Sequence, residues 1–365
     1  MTGSPFSSEA QFRSRYRDQL SAMLRSTAST RDFGLSTFIL VCANAYFDRD
    51  ILGEMDNDLR RAFINIREKY FRLFAEGQIL DERFAEDLLV FLKISLVGLE
   101  QLRVTEHKSI GDWTLQFNHI RSFRPQRTAA RLVPSIDIPF NENGFHYDAA
   151  LCERESFWSG NLAGKNVSLL YNKYPFARLH ALLLPEPERY QRQFLELENH
   201  KWAWETTQYL SQDLPGFGLG YNSLGTFASV NHLHLQSYIE PAGLPVMQTS
   251  WKHNGGTLDY PLPCQAFDSI AESWQWMKRI YTQNTNSFNL LYTPGKIYCF
   301  ERKRQGTYRH ARWTSGFAWY ELSGNLITFS REDYSALTPN KIEKEYKKLK
   351  ILTKTEESRC LKKSL

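Results

Sequence analysis

Gly220-Tyr221-Asn222-Ser223-Leu224-Gly225-Thr226-Phe227-Ala228-Ser229-Val230-Asn231-His232-Leu233-His234-Leu235-Gln236-Ser237-Tyr238 is the stretch on which the reading of this chain turns. Its last part alternates polar and apolar residues with the period of a strand. His232, His234 and Gln236 are expected on one face and Leu233, Leu235 and Ser237 on the other. The leucines predict a buried face, and the imidazoles predict a cleft. Upstream, Gly220 and Gly225 allow close backbone approach, while Asn222, Ser223 and Ser229 supply small polar groups suited to phosphate and ribose oxygens. Three readings fit these residue types: a nucleophilic imidazole acting at phosphorus, a zinc pair, and a half-exposed strand with incidental histidines. Zinc needs a third ligand, which the sequence does not nominate.

Outward from this stretch, the chain divides into four parts. Residues 1–105 read as a helical extension or cap, with strong helix formers over Asn57–Tyr70 and Asp81–Leu102 and an apolar run at Leu35–Phe47 that predicts a buried helix. Residues 106–243 break into short runs separated by turn residues. Strands are expected at Asn166–Tyr171, Leu179–Leu184, Phe217–Tyr221 and His232–Tyr238, with a long helix over Glu188–Leu210. Residues 244–352 begin with a loop or lid at Leu244–Tyr260. A helix follows at Ile270–Thr282, then a strand pair at Ser287–Tyr292 and Lys296–Arg302, a strand at Ala318–Ser323 and a lysine-rich surface helix at Asn340–Ile351. Residues 353–365 read as a flexible tail.

The 365 residues allow a sizeable core, and 45 basic against 40 acidic residues give a net charge of +5 that nucleotides would satisfy. A nucleic-acid surface would carry a basic stripe interleaved with aromatics. Arg302-Lys303-Arg304 is a short cluster, expected as a solvated turn. Five scattered cysteines, with no close pair, argue against a disulfide framework and for a reducing compartment. The polar start lacks a signal-like apolar run, and no segment is long enough to cross a bilayer, so a cytoplasmic protein without membrane or nucleic-acid partners is expected.

The stretch from Gly220 to Tyr238 closely resembles the active-site segment of the GDP-L-galactose phosphorylases of plants and the GDP-D-glucose phosphorylases of animals. These lie in the galactose-1-phosphate uridylyltransferase branch of the histidine-triad (HIT) superfamily. Further blocks agree in order: Gly111–Arg121 with Arg124-Pro125, Asn172-Lys173-Tyr174-Pro175, His180–Pro185, Asp259-Tyr260-Pro261, Asn284–Leu291 and Trp319–Gly324. Two departures stand out. Leu179 occupies the usual glycine of a Gly-His pair, and Phe123-Arg124-Pro125 replaces a Lys-Arg-Pro run. The resemblance implies an α+β, HIT-like fold in which duplicated units share a mostly antiparallel sheet with flanking helices, and a duplicated chain of this kind fits a monomer.

By the same resemblance His234 is the nucleophile, carrying a nucleotidyl group from a nucleotide sugar to inorganic phosphate, and His232 orients the strand or substrate. Asn222, Gly225, Ser229, Arg121, Arg124, Asn172, Lys173 and His180 are the expected substrate contacts, with no cofactor and no metal. Gln236 adds a chemical argument. An amide can donate a hydrogen bond but cannot act as a general acid, so the leaving group should need little protonation. A sugar 1-phosphate, with a second pKa of about 6, meets that condition. Another acceptor, a dinucleoside polyphosphate substrate, or a nucleotide-sugar sensor without turnover are the competing functions.

Overall fold

The computed structural model describes residues 4–26, 34–78, 84–125 and 132–351. Four helices come first: α1 Glu9–Ser26, α2 Gly34–Ala45, α3 Arg49–Ala75 and α4 Ala85–Val97. Asp48 starts α3 by accepting the N–H groups of Asp50 and Ile51, and Gly98 at φ 89° ends α4. Leu59, Phe63, Ile66 and Tyr70 form the buried stripe of α3, and α2 is buried along its length, as their patterns predict. Part of the Asp81–Leu102 expectation lies outside the described residues; the helix within it runs over α4.

The remainder begins with β1 Glu106–Ile110, β2 Trp113–Phe117, α5 His119–Phe123, α6 Ala149–Glu155, β3 Ser156–Leu162, β4 Lys165–Tyr171 and β5 Ala181–Pro185. It continues with α7 Leu197–Leu210, β6 Phe217–Asn222, β7 Leu235–Ile239, β8 Cys264–Phe267, α8 Ile270–Gln283, β9 Ser287–Thr293 and β10 Lys296–Arg302. The last elements are α9 Trp319–Leu322, β11 Asn325–Thr328, α10 Arg331–Ala336 and α11 Pro339–Leu349. The fold is α+β. An antiparallel eight-stranded sheet runs β3-β4-β5-β7-β6-β9-β10-β8, and a three-stranded sheet runs β1-β2-β11. Both sheets draw strands from either side of residue 243, so neither is built by one half of the chain alone.

Alternation assigns the two faces of the large sheet. Phe217, Leu219 and Tyr221 of β6, with Phe288, Leu290 and Tyr292 of β9, join the core under α1–α4, α7 and α8. Tyr238, Leu291, Tyr298 and Phe300 face the second core, built with the small sheet and α11. On that second face β6 offers Gly218 and Gly220 ahead of Asn222. A Cβ at Gly220 would lie 2.1 Å from the Trp319 ring, so the indole rests directly on the strand backbone.

Several expectations need correction. His232 and His234 precede the strand, because β7 begins only at Leu235, yet Leu233 and Leu235 do enter the core as expected. The helix expected from Glu188 starts at Leu197; a short 3-10 turn at Pro187–Arg189 and an irregular segment precede it. Ala318–Ser323 is not a strand. Its Glu321 side chain accepts the Ala318 N–H at 3.0 Å and closes a helical turn, after which Gly324, at φ 99°, releases the chain into β11. Arg302 and Arg304 are not solvated: they are 0% and 7% exposed. Their guanidinium groups donate to the carbonyls of Phe317, Pro134 and Asn284, pinning three loops. Helix α11 is amphipathic, burying Ile342, Tyr346 and Leu349 against the second core. Leu179, standing in for glycine, keeps a glycine-like φ of 49°. Left-handed backbone costs about 1–2 kcal/mol, and its buried side chain offsets that by roughly 1.5–3 kcal/mol.

Burial holds several histidines neutral. It lowers His180 to about 3, helped by the charge of Arg121, and His200 to about 4. His232 also falls to about 4, through burial and then the neighbouring His234 and His146. The unfolded chain takes up protons at these sites near pH 6.5 while the folded chain does not. Stability is therefore unaffected above that pH and falls as pH drops toward 4, by about 1.4 kcal/mol per pH unit for each such histidine. Thermal melts between pH 8 and 4 should show a Tm that is level and then declines; a Tm that rises on acidification would contradict it.

Candidate active site

At one end of the second face, β6, β7 and β9 bring Asn222, Gln236 and Asn289 together, with α9 laid across them. Trp319 organises the cluster. Its indole N–H donates to Gln236 Oε1 at 2.7 Å, and its backbone N–H donates to Asn222 Oδ1 at 2.9 Å. Asn289 Nδ2 donates to the same Asn222 oxygen at 2.6 Å. The indole N–H and the backbone N–H of Trp319 can only donate, so Gln236 and Asn222 both turn their oxygens inward. Their NH2 groups are left as donors for the adjoining space.

That space is a cavity of about 610 Å³, within the range of small-molecule sites. Arg121, Arg124, Asn172, Asn222, Ser229, Gln236 and Glu321 contribute its polar lining, while Ile138, Leu224 and Phe227 are among its apolar residues. Arg121 donates to the Tyr174 carbonyl at 2.6 Å and lies 5.0 Å over the Phe176 ring. Burial, then the nearby Arg124, lowers its pKa to about 10, which leaves it cationic at neutral pH. Glu321 is pushed up by burial, and Arg121 opposes that shift.

The imidazoles lie behind this lining rather than on it. His234 is 3% exposed, with Tyr147 edge-on at 5.5 Å. Its Nδ1 lies 2.8 Å from the His232 carbonyl oxygen. A carbonyl only accepts, so the proton sits on Nδ1 and Nε2 keeps its lone pair. Burial lowers the pKa of this ring, and the bond to the His232 carbonyl opposes the shift. His232 accepts the Tyr147 N–H at 3.2 Å and is packed among Phe140, Tyr147 and Tyr190.

Three other expected contacts also stand apart from the cavity. His180 is fully buried: its Nδ1 accepts the Phe176 N–H at 3.3 Å, and its Nε2 faces Gln236 Oε1 at 3.3 Å. Lys173 pairs with Asp87 of α4 at 2.5 Å and with Ser36 at 2.7 Å. Gly225 turns at φ 84°, where a Cβ would meet Ser287 Oγ at 2.6 Å. Among the described residues, no group of three His, Cys, Asp or Glu side chains is placed to hold a metal ion.

Sequence reading missed Trp319, which holds Gln236 and Asn222, Glu321, which lines the cavity, and Gln193, whose side-chain oxygen accepts the His234 backbone N–H at 2.9 Å. No local signal marks Gln193, the last residue of the run Gln191-Arg192-Gln193. The helical extension also contacts this region. Glu86 of α4 accepts from Arg124 Nε at 2.9 Å, Lys93 donates to the Phe123 carbonyl at 2.8 Å, and Asn44 of α2 donates to the Asn172 carbonyl at 3.0 Å. Two cavity-lining residues are thus held from the extension.

Gly220→Ala should displace Trp319 from Gln236 and Asn222 and destabilise the protein by about 1–3 kcal/mol through overpacking. Urea unfolding followed by tryptophan fluorescence tests this, and an unchanged midpoint would show that the indole can shift freely.

Comparison with known proteins gives the site a context. Residues 115–238 match the family model described as "GDPGP1-like, N-terminal domain". Human GDP-D-glucose phosphorylase 1 is 38% identical over 128 residues, 34% of this chain and 33% of that protein. The GDP-L-galactose phosphorylase 2 of Arabidopsis thaliana is 27% identical over 199 residues, 47% of this chain and 44% of that protein. The matched part of the chain thus spans about a third of the length of the animal relatives and under half of the plant one. A crystal structure of the yeast Ap4A phosphorylase Apa2 with Ap4A aligns with a TM-score of 0.49 at 18% identity, covering 73% of this chain and 98% of that one. No helix of the described residues is long and apolar enough to cross a membrane. Residues 115–238, the stretch from β2 to β7 that builds most of the site, are thus the part of the chain that is similar to the GDPGP1-like N-terminal domain.

Proposed function

We propose that this chain cleaves a GDP-hexose with inorganic phosphate, giving GDP and hexose 1-phosphate through a guanylyl group carried on His234. The observation that carries this reading is the hydrogen bond from His234 Nδ1 to the His232 carbonyl, which leaves the lone pair on Nε2. The similarity of residues 115–238 to GDP-hexose phosphorylases supports the substrate class.

In the first half-reaction Nε2 attacks the α-phosphorus. The N–P bond forms as the bond to the bridging oxygen breaks, and hexose 1-phosphate leaves with the electron pair. The guanylylated ring keeps Nδ1–H on the His232 carbonyl, which stabilises its positive charge. Inorganic phosphate then attacks the same phosphorus, the N–P bond breaks, and GDP departs with the lone pair restored to Nε2. The α-phosphate enters between Asn222 and Gln236, whose NH2 groups donate to its oxygens. Arg121 and Arg124 supply positive charge, Ser229 and Asn172 supply further polar contacts, and the apolar residues near Leu224 and Phe227 offer a surface for the base. Glu321 places an acceptor where sugar hydroxyls can donate. Gln236 protonates nothing, which suits a leaving group that is already a stable anion.

The test is product analysis with GDP-hexoses, with and without phosphate. GDP should form only when phosphate is present, and His234→Ala should lower the rate by about 10³-fold or more. Gln236→His should raise hydrolysis relative to phosphorolysis. Phosphate-independent turnover, or a His234→Ala variant as active as the parent, would refute the assignment.

A further inference from the structure

The pairing of β6 with β7 runs Phe217↔Ile239, Gly218↔Tyr238, Leu219↔Ser237 and Gly220↔Gln236. Continued in register, this ladder would next bring together Tyr221 with Leu235 and Asn222 with His234. The chain instead inserts a side chain. Gln193 Nε2 donates to the carbonyls of Asn222 at 3.0 Å and His234 at 3.1 Å, while its Oε1 accepts the His234 N–H at 2.9 Å. One amide thus takes the place of a strand partner for both residues and holds them apart.

Gln193 is itself fixed. Its backbone N–H donates to Asn231 Oδ1 at 2.9 Å, and its carbonyl accepts from the Tyr221 hydroxyl at 3.2 Å. It is fully buried, so water does not compete for these bonds. An apolar side chain of the same size would strand two carbonyls and an N–H in the interior. A regular ladder would satisfy those groups but draw His234 into the sheet, beside Asn222.

We infer that Gln193 is a positioning residue for the reaction proposed above: its amide wedge separates the ends of β6 and β7 so that His234 and Asn222 can address one phosphorus together. This inference rests on the assignment of His234 as the nucleophile. Gln193 does not line the cavity, so its loss should slow chemistry while leaving nucleotide binding in place.

The experiment compares the parent with Gln193→Met, which removes every side-chain hydrogen bond, and Gln193→Glu, which keeps an acceptor for the His234 N–H but loses both donors. The readouts are the single-turnover rate of protein guanylylation by GDP-glucose, the Kd for the non-cleavable analogue guanosine 5′-α,β-methylene diphosphate, and the circular dichroism spectrum. A displacement of the nucleophile by about 1 Å predicts a rate loss of about 100-fold in each folded variant, with the Kd changed less than about threefold, the signature of an interaction felt in the transition state. A rate within about threefold of the parent, a parallel loss of binding and rate, or failure of both variants to fold would each overturn the inference. A parent that is never guanylylated refutes the proposed function itself, whereas a guanylylated parent matched by its variants refutes only the wedge.

Discussion

The hydrogen bond from His234 Nδ1 to the His232 carbonyl is the interaction on which the site depends. Burial alone would make His234 a neutral ring with either nitrogen protonated. The carbonyl selects one tautomer and leaves Nε2 unprotonated. That choice requires the chain to turn between residues 232 and 234, which a regular strand would not permit. The late start of β7, the irregular segment before α7 and the Gln193 amide therefore serve one geometric end. On the opposite side, Trp319 fixes the direction of two amides, and glycine at position 220 is what lets the indole lie close enough to do so.

The N-terminal helices have a part in this arrangement. Glu86, Lys93 and Asn44 hold Arg124, the Phe123 carbonyl and the Asn172 carbonyl. Tyr16 of α1 donates to Asn44 and, at 3.3 Å, to the His180 carbonyl, while Tyr171 of β4 donates to the Tyr16 carbonyl. Buried polar links of this kind are costly to break, because each leaves an unsatisfied partner in the core. Glu86 and Lys93 of α4 thus tie the cationic wall of the cavity to the helical extension although they do not line it.

The fold was legible wherever periodicity decided the matter. The apolar stripe of α3, the buried run in α2 and the short turn-bounded runs that form β4, β6, β9 and β10 all appear where the residues predict. Legibility failed where a distant partner overrides local pattern. His-Leu-His-Leu alternates like a strand, but Gln193 intercepts its backbone; Ala318–Ser323 has strand-like residues, but Glu321 caps them into a turn. Arg302-Lys303-Arg304 looks like surface, yet carbonyls contributed by remote loops bury its arginines. Of the residues expected at the site, Asn222, Ser229, Gln236, Asn172, Arg121 and Arg124 line the cavity, whereas His232, His234, His180, Lys173 and Gly225 do not. Gln193 could not have been found, because its contacts with Asn222 and His234 exist only once β6 and β7 are side by side.

The most direct measurement is the site of attachment of the guanylyl group. Protein incubated with GDP-glucose in the absence of phosphate, digested at alkaline pH and sequenced by mass spectrometry with 31P NMR of the purified peptide, should carry one guanylyl group on Nε2 of His234. Attachment to Nδ1, or to a peptide that lacks His234, would contradict the account.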